Sequence, residues 1–292
     1  MSAEPAPGAA PSVLTLVRGR AESLRNLLRG LAGQTRRPRE LVIAWMQPEP
    51  APDLPDPGCP VRHVIVPGER MPLAAARNRA AATAAADLLV FLDVDCIPSP
   101  TLVAAYAAAA ATARGLFLGE VLYLPPGAVP RDPAALDRLA QAHPARPAPP
   151  AAGLRREPDA GQLWGLSFAL AAAEWNAVGG MDEAYDGYGG EETDFAARLA
   201  ETGLPTFWVG GARAYHQHHP VHVPPLQHFA PILANAARFH ARHGRWCMTY
   251  WLGQFREAGL IAWDEDAPAI RTIRPPTGAE IAAALRPDAL FS

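Results

Sequence analysis

An α/β fold with a central, mostly parallel sheet flanked by helices is what this sequence predicts, and three observations predict it. Short β-branched and aliphatic runs alternate with helically spaced ones, the pattern of strand and helix units stacked in sequence. One apolar run ends directly in Asp93-Val94-Asp95, at the carboxyl end of a strand, where ligands of such sheets bind. The 292 residues, 49% of them hydrophobic and 19% charged, suffice for one large buried core.

Val13 to Val17 reads as the first strand, and Leu24, Leu27, Leu28 and Leu31 then recur at helical spacing until Gly33. Leu41 to Trp45 and Val61 to Val66 read as the next strands, both short, apolar and expected to be buried. Pro72 opens an alanine-rich helix through Ala86, and Leu88 to Leu92 is a fourth buried strand running into the two aspartates. A helix from Thr101 to Ala113 and a strand from Leu116 to Leu122 follow. The segment from Pro125 to Asp159, rich in Pro, Ala and Arg, reads as a long loop around one short helix near Pro133 to Gln141, of a length typical of lids and binding loops.

Trp164 to Leu170 is extended, and Ala172 to Val178 is a helical turn stopped by Gly179-Gly180. Asp186 to Asp194 sets a glycine-rich loop before a helix whose face is marked by Phe195 and Leu199 and whose end is Gly203. A strand from Thr206 to Val209 leads to His216. Leu226, Phe229, Leu233, Ala236 and Phe239 then give one amphipathic helix and Trp246 to Phe255 another. The organisation expected is a disordered leader over 1–11, one α/β domain over 12–220 with its long loop at 125–159, and a small helical C-terminal appendage over 221–292.

Composition excludes several classes. All 26 basic residues are arginine, the formal net charge is -3 and no basic block occurs, so no nucleic-acid partner is expected. Cys59, Cys96 and Cys247 are widely spaced with no CxxC pair, which argues against a disulfide framework or zinc ribbon and for the cytoplasm. Leu102 to Leu118 is interrupted by Arg114 and Gly115 and is mostly alanine, so no integral membrane segment is expected. A peripheral contact at the inner face of the membrane would use the helix from Leu226 to His240, whose alternation suits core packing equally.

Four groups of residues carry chemistry. Asp93 and Asp95, one residue apart after a buried strand, can reach a hard divalent cation and nucleotide hydroxyls. Glu191 and Glu192 follow Gly189-Gly190 at a helix start, where the glycines admit a substrate to the backbone and one carboxylate can serve as general base; an acidic first helical turn would look the same. His216, His218, His219 and His222 form a cluster in which His216, nearest the strand end, is the expected metal ligand. Arg18, Arg20 and Arg77 lie past a strand or on the following helix, on the side where a diphosphate would sit.

In this order the features resemble the family 2 glycosyltransferases with the GT-A (Rossmann-like) fold. The matching pieces are Val17-Arg18-Gly19-Arg20, Ala76-Arg77-Asn78, Phe91 to Asp95 with Pro98, Val178 to Glu183, Gly189 to Asp194, Arg198 and Ala214-Tyr215-His216, within Ser12 to Pro220. The latter half looks most like the galactosyltransferase-type C-terminal segment of that fold. The resemblance implies inverting transfer of a sugar from a nucleotide diphosphate donor, UDP-linked, to an acceptor hydroxyl with Mn2+ or Mg2+.

Carried onto this chain, Asp93 would contact the donor's ribose or sugar, with Arg18, Arg20 and Arg77 around the diphosphate. Asp95 and His216 would bind the metal, and Glu192 would be the base, with Glu191 holding the acceptor or shaping the loop. Trp164, Tyr188 and Gly190 would meet the acceptor, which is a glycan, a lipid-linked sugar or a small molecule. Two positions depart from the family: Glu192 stands where an aspartate is usual, and Ala44-Trp45-Met46-Gln47 replaces the acidic turn that holds the nucleobase. Two other functions fit parts of the pattern, a sugar nucleotidyltransferase and an inactive relative that binds a glycan or protein.

Overall fold

The computed structural model describes residues 9–68, 71–129 and 132–291, so most of the expected leader lies outside the described residues. Strands β1 (Ser12–Val17), β2 (Glu40–Trp45), β3 (Val61–Ile65) and β4 (Leu88–Leu92) alternate with helices α1 (Ala21–Ala32) and α2 (Leu73–Thr83). After β4 come β5 (Cys96–Pro98), α3 (Leu102–Thr112) and β6 (Leu116–Tyr123). Then follow α4 (Pro133–Leu139), β7 (Gln141–Ala142), β8 (Leu154–Glu157), β9 (Ser167–Ala171), α5 (Ala172–Ala177), α6 (Glu191–Glu201) and β10 (Thr206–His216).

These strands form one sheet of order β3-β2-β1-β4-β9-β6-β10-β5, with β7 added to β6 and β8 to β10. The β3-β2-β1-β4 half is parallel, as the strand and helix alternation predicts. Beyond β4 the sheet is mixed: β9 runs antiparallel to both neighbours, β6 and β10 are parallel, and β5 returns antiparallel. Strand alternation divides the core cleanly. Val13 and Val17 of β1 and Leu88, Val90 and Leu92 of β4 pack with α1 and α3, whereas Leu14, Leu16, Leu89 and Phe91 pack with α2, α5 and α6.

The helices are shaped to that sheet. In α1, Leu24, Leu27, Leu28 and Leu31 are all at most 1% exposed, a stripe in which each side chain contributes roughly 2 kcal/mol by burial. Gly30 lets the same helix touch β5, since a Cβ there would lie 2.8 Å from Pro98 Cδ. Helix α2 buries Ala74, Ala76 and Ala80, whose small side chains bring its backbone near the sheet and leave Arg77 as its long buried group.

Two expectations need correction. β3 is the edge strand, with Arg62, His63 and Ile65 exposed, because nothing covers the last strand of an open sheet on its outer side. The stretch from Pro125 to Asp159 is not simply a loop: β8 pairs with Thr206–Val209 of β10, and Glu157 accepts a hydrogen bond from the buried indole of Trp208 at 2.8 Å. Its arginine-rich sequence hid a strand that needs only one neighbour. The register of β10 on β6 shifts between Trp208 and Arg213, and Gly210 and Gly211 make that bulge possible.

After β10 come β11 (Val221–His222), α7 (Phe229–His243), α8 (Thr249–Glu257), β12 (Ile261–Ala262), β13 (Arg271–Thr272), α9 (Gly278–Ala284) and β14 (Leu285–Arg286). Helix α8 begins later than expected, after Met248 in a left-handed conformation, and Leu226–His228 forms a tight single turn before α7. This region also carries two short ribbons, β11 with β14 and β12 with β13. Its apolar cluster of Phe229, Ile232, Phe239, Leu252 and Phe255 also includes Tyr185 and Ala197, so these helices share their core with α6.

Candidate active site

Asp93 follows β4 at the carboxyl end of the parallel strands, with its backbone N–H on the carbonyl of Leu166 at 3.0 Å and its side chain 30% exposed. Asp95 is 5% exposed. Its Oδ1 lies 3.5 Å from His216 Nε2, its Oδ2 lies 3.7 Å from His219 Nε2, and Arg20 donates to the same Oδ2. Burial pushes the Asp95 carboxyl up, but His216, Arg20 and His219 outweigh it and hold the group below the usual carboxylate range. Burial lowers both imidazoles below their ordinary range against the pull of Asp95, and the neutral form this favours is the one that can donate a lone pair.

Gln217 arranges this group. Its backbone N–H donates to the Asp95 carbonyl at 2.7 Å, while its buried side chain accepts from Asn26 at 2.8 Å and donates to the Ser23 carbonyl at 3.1 Å. With Gln217 turned into α1, His216 and His219 face the same side, and one ligand atom from each of Asp95, His216 and His219 lies within 4.8 Å of the others. One carboxylate oxygen and two neutral imidazoles fit a divalent transition metal. The sequence placed Asp95 and His216 correctly beside each other; His219 enters because the chain turns at Gln217, not because the segment is extended.

On the opposite wall Gly190, with φ +92°, precedes the first residue of α6, where Glu191 and Glu192 begin the helix. Arg77, 2% exposed, binds Glu191 at 3.2 Å, Glu192 at 3.3 Å and Asp93 at 3.5 Å. Desolvation opposes its charge, and these three carboxylates more than restore it. Arg77, expected at the donor diphosphate, thus joins the carboxylate after β4 to the two at the start of α6. Glu192 keeps 19% side-chain exposure while Glu191 is 2% exposed, so Glu192 is the one open to the cleft.

Burial, then the Glu191 carboxylate, push the Glu192 carboxyl up to about 8 against the pull of Arg77. Burial likewise pushes Asp93 up to about 7 although Arg77 stands beside it. Asp194, fully buried, receives Arg198 and Arg242 at 2.8 Å each and Tyr185 at 3.2 Å, with His243 Nε2 at 3.0 Å. Its lone pairs are spent on joining α6 to α7, which separates it from the two glutamates in role.

Arg18 and Arg20 follow β1 at the surface, and Gln47, in the departure from the usual acidic turn, accepts the Gly19 N–H at 2.7 Å and so ties the second-strand turn to the first. Tyr188 stacks on His228 with ring centroids 4.5 Å apart and has Trp251 at 5.6 Å. Trp164 carries Arg146 4.3 Å above its ring. Gly165, which the sequence did not single out, lies against Glu192: a Cβ there would collide with Glu192 Oε1 and lie 2.8 Å from Arg77 Nη2. Its only signal was a glycine inside an apolar extended run, a mark of close approach.

Residues 153–221, from β8 through β10 to the histidines, match a family model described as the N-terminal domain of galactosyltransferase. No curated protein matches the chain by sequence. Among solved structures, the chain is similar to GalNAc-T7 with UDP, GalNAc and Mn2+, at 17% identity and a TM-score of 0.52 over 72% of this chain and 43% of that one. It is also similar to residues 1–349 of S. aureus TarS, at 13% identity and a TM-score of 0.50 over 80% of this chain and 66% of that one. The chain therefore spans less than two thirds of the length of these neighbours. Its sheet, its cleft and these likenesses together give the chain the GT-A fold of glycosyltransferases, with a galactosyltransferase-type segment at 153–221.

Proposed function

We propose that the protein is an inverting, metal-dependent glycosyltransferase that moves a sugar from a nucleotide diphosphate donor, UDP-linked, to an acceptor hydroxyl. The observation that carries this reading is the meeting, at the carboxyl end of β4, of Asp93 and Asp95 with Glu192 from α6 and two imidazoles from the end of β10. The GalNAc-T7 structure of the same fold holds UDP and Mn2+. Asp95, His216 and His219 would hold the metal, and two imidazoles suit Mn2+ better than Mg2+. When bound, a divalent ion there offsets charge developing on the leaving diphosphate.

The chain's own residues supply the rest. Asp93 accepts a donor hydroxyl, and Arg18 and Arg20 face the diphosphate. Glu192 takes the proton of the acceptor hydroxyl as that oxygen bonds to the anomeric carbon, while the bond from that carbon to the diphosphate oxygen breaks on the opposite face. Arg77 and Gly165 hold the Glu192 carboxylate where it can do so. Tyr188, Trp164 and the Gly190 backbone border the acceptor side, and the acceptor is a glycan, a lipid-linked sugar or a small molecule. No helix among the described residues is long and apolar enough to cross a membrane; the three widely spaced free cysteines are what supports a cytoplasmic location, with contact at the inner membrane face through the helix from Leu226 to His240.

Calorimetric titration with UDP-galactose, UDP-glucose, UDP-N-acetylgalactosamine and GDP-mannose, in Mn2+ and in chelator, tests this. Metal-dependent binding of one donor, lost in Asp95→Ala, is the expected result. A folded protein that binds none of them in either condition overturns the transferase reading in favour of a catalytically inactive relative.

A further inference from the structure

The last described segment pairs with the short strand that follows the histidine loop and then packs its Phe291 ring on Tyr123 of β6. β14 pairs with β11, which begins two residues after His219, and the Val223 N–H donates to the Ala284 carbonyl at 2.9 Å. Farther along, the Phe291 ring meets Tyr123 edge-on at 5.0 Å and His143 at 4.6 Å. Tyr123, in turn, lies 4.9 Å from the ring of His216. A chain of three rings thus leads from residue 291 to a metal-site imidazole.

The need for such a support is visible in the hydrogen bonds. A metal-bound histidine ordinarily fixes its ring by donating its second N–H to an oxygen. His219 Nδ1 has the Pro220 carbonyl at 3.1 Å for this. Among the described residues, the His216 side chain makes no hydrogen bond besides its ion pair with Asp95, and its ring packs on Tyr123 at 4.9 Å and on His219 at 5.2 Å. Tyr123 is held from its outer side by Phe291 and His143.

We propose that residues 285–291 are a working part of the metal site, and that Phe291 is a positioning residue that sets the orientation of His216 through Tyr123. This rests on the metal site proposed above, and the two are separable by direct measurement. Mn2+ affinity of the whole chain is read from the free-ion electron paramagnetic resonance signal, without donor or acceptor, for the parent protein, Phe291→Ala, Phe291→Tyr and Asp95→Ala.

Phe291→Ala is expected to weaken Mn2+ by about tenfold, the usual effect of losing an outer support, with Phe291→Tyr within about twofold of the parent and Asp95→Ala without binding. The same Mn2+ affinity in Phe291→Ala and the parent, with Asp95→Ala still blind to Mn2+, overturns the role of Phe291 and leaves the metal site standing. A parent that binds no Mn2+ overturns the metal site and this inference with it. Should Phe291→Ala lose its melting transition, Phe291→Leu, which keeps apolar volume without a ring edge, carries the same test: affinity equal to that of the parent overturns the role.

Discussion

Glu192 stands 3.3 Å from a guanidinium, yet its carboxyl is pushed up to about 8, because burial and the Glu191 carboxylate outweigh Arg77. A base acts in its unprotonated form, so transfer is expected to rise with pH through about 8 and then level. A pH profile of kcat/KM at saturating Mn2+ checks this, and a profile flat from pH 6 to 9 contradicts it. Glu192→Gln is expected to lower kcat by about 10²- to 10⁴-fold with donor affinity little changed. Gly165→Ala should act on the same atom, since its Cβ meets Glu192 Oε1, and the expected signature is a fall in kcat at unchanged Mn2+ affinity. Arg20 competes with a cation for Asp95 Oδ2, so Arg20→Ala should bind Mn2+ more tightly in the absence of donor and bind the donor less tightly in its presence. Asp93, Asp95, His216 and the two glutamates were legible because charged residues beside apolar runs and glycines are visible in one dimension. Gly165 and the pairing of Arg77 with three carboxylates were not, because each depends on which segments meet there, and the choice of His219 among the clustered histidines depends on the local path of the chain after β10.

Between α6 and α7 the joint is electrostatic. Asp194 is fully buried against Arg198, Arg242 and His243, and its carboxyl is held below the usual range because bonds from His243, Arg198 and Arg242 outweigh burial. Removing the charge with Asp194→Asn leaves Arg198 and Arg242 without their shared partner and should cost about 3–5 kcal/mol in urea unfolding at neutral pH. For a carboxyl with a depressed folded pKa, this stability is present above the unfolded value and lost as pH falls through the folded one, so parent and variant should converge in acid. Amphipathic spacing made α1 and α7 readable, and strand runs made β1, β2 and β4 readable. β3 misled because an apolar strand reads alike at the centre and the edge of a sheet, and β8 was hidden because a strand with one neighbour needs no apolar pattern.

Across the molecule, the cleft sits where the parallel half of the sheet gives way to the mixed half, between β4 and β9. Strand and helix alternation predicted the first half; the order β9-β6-β10-β5 could not be read from spacing, since long-range pairing leaves no local period. The C-terminal helices complete a cluster containing Tyr185 and Ala197, and α7 carries the Arg242 and His243 that hold Asp194. A chain cut after residue 220 is therefore expected to lose the cooperative melting transition of the full chain, which differential scanning calorimetry would show; an intact transition would mean that the first 220 residues fold alone.

Because Glu192 and Asp93 are pushed up to about 8 and about 7, the four carboxylates around Arg20 and Arg77 reach their full excess of two negative charges only above about pH 8. A diphosphate approaching that surface is repelled, whereas a dication is drawn in and brings the count to zero. For the transferase proposed above, the order of arrival expected from this charge is ion first, nucleotide second and acceptor last, with the spent nucleotide leaving before the ion. Initial-rate patterns with varied Mn2+ and donor should then intersect as in an ordered sequence, and the metal would behave less as a consumable partner than as a seated part of the wall.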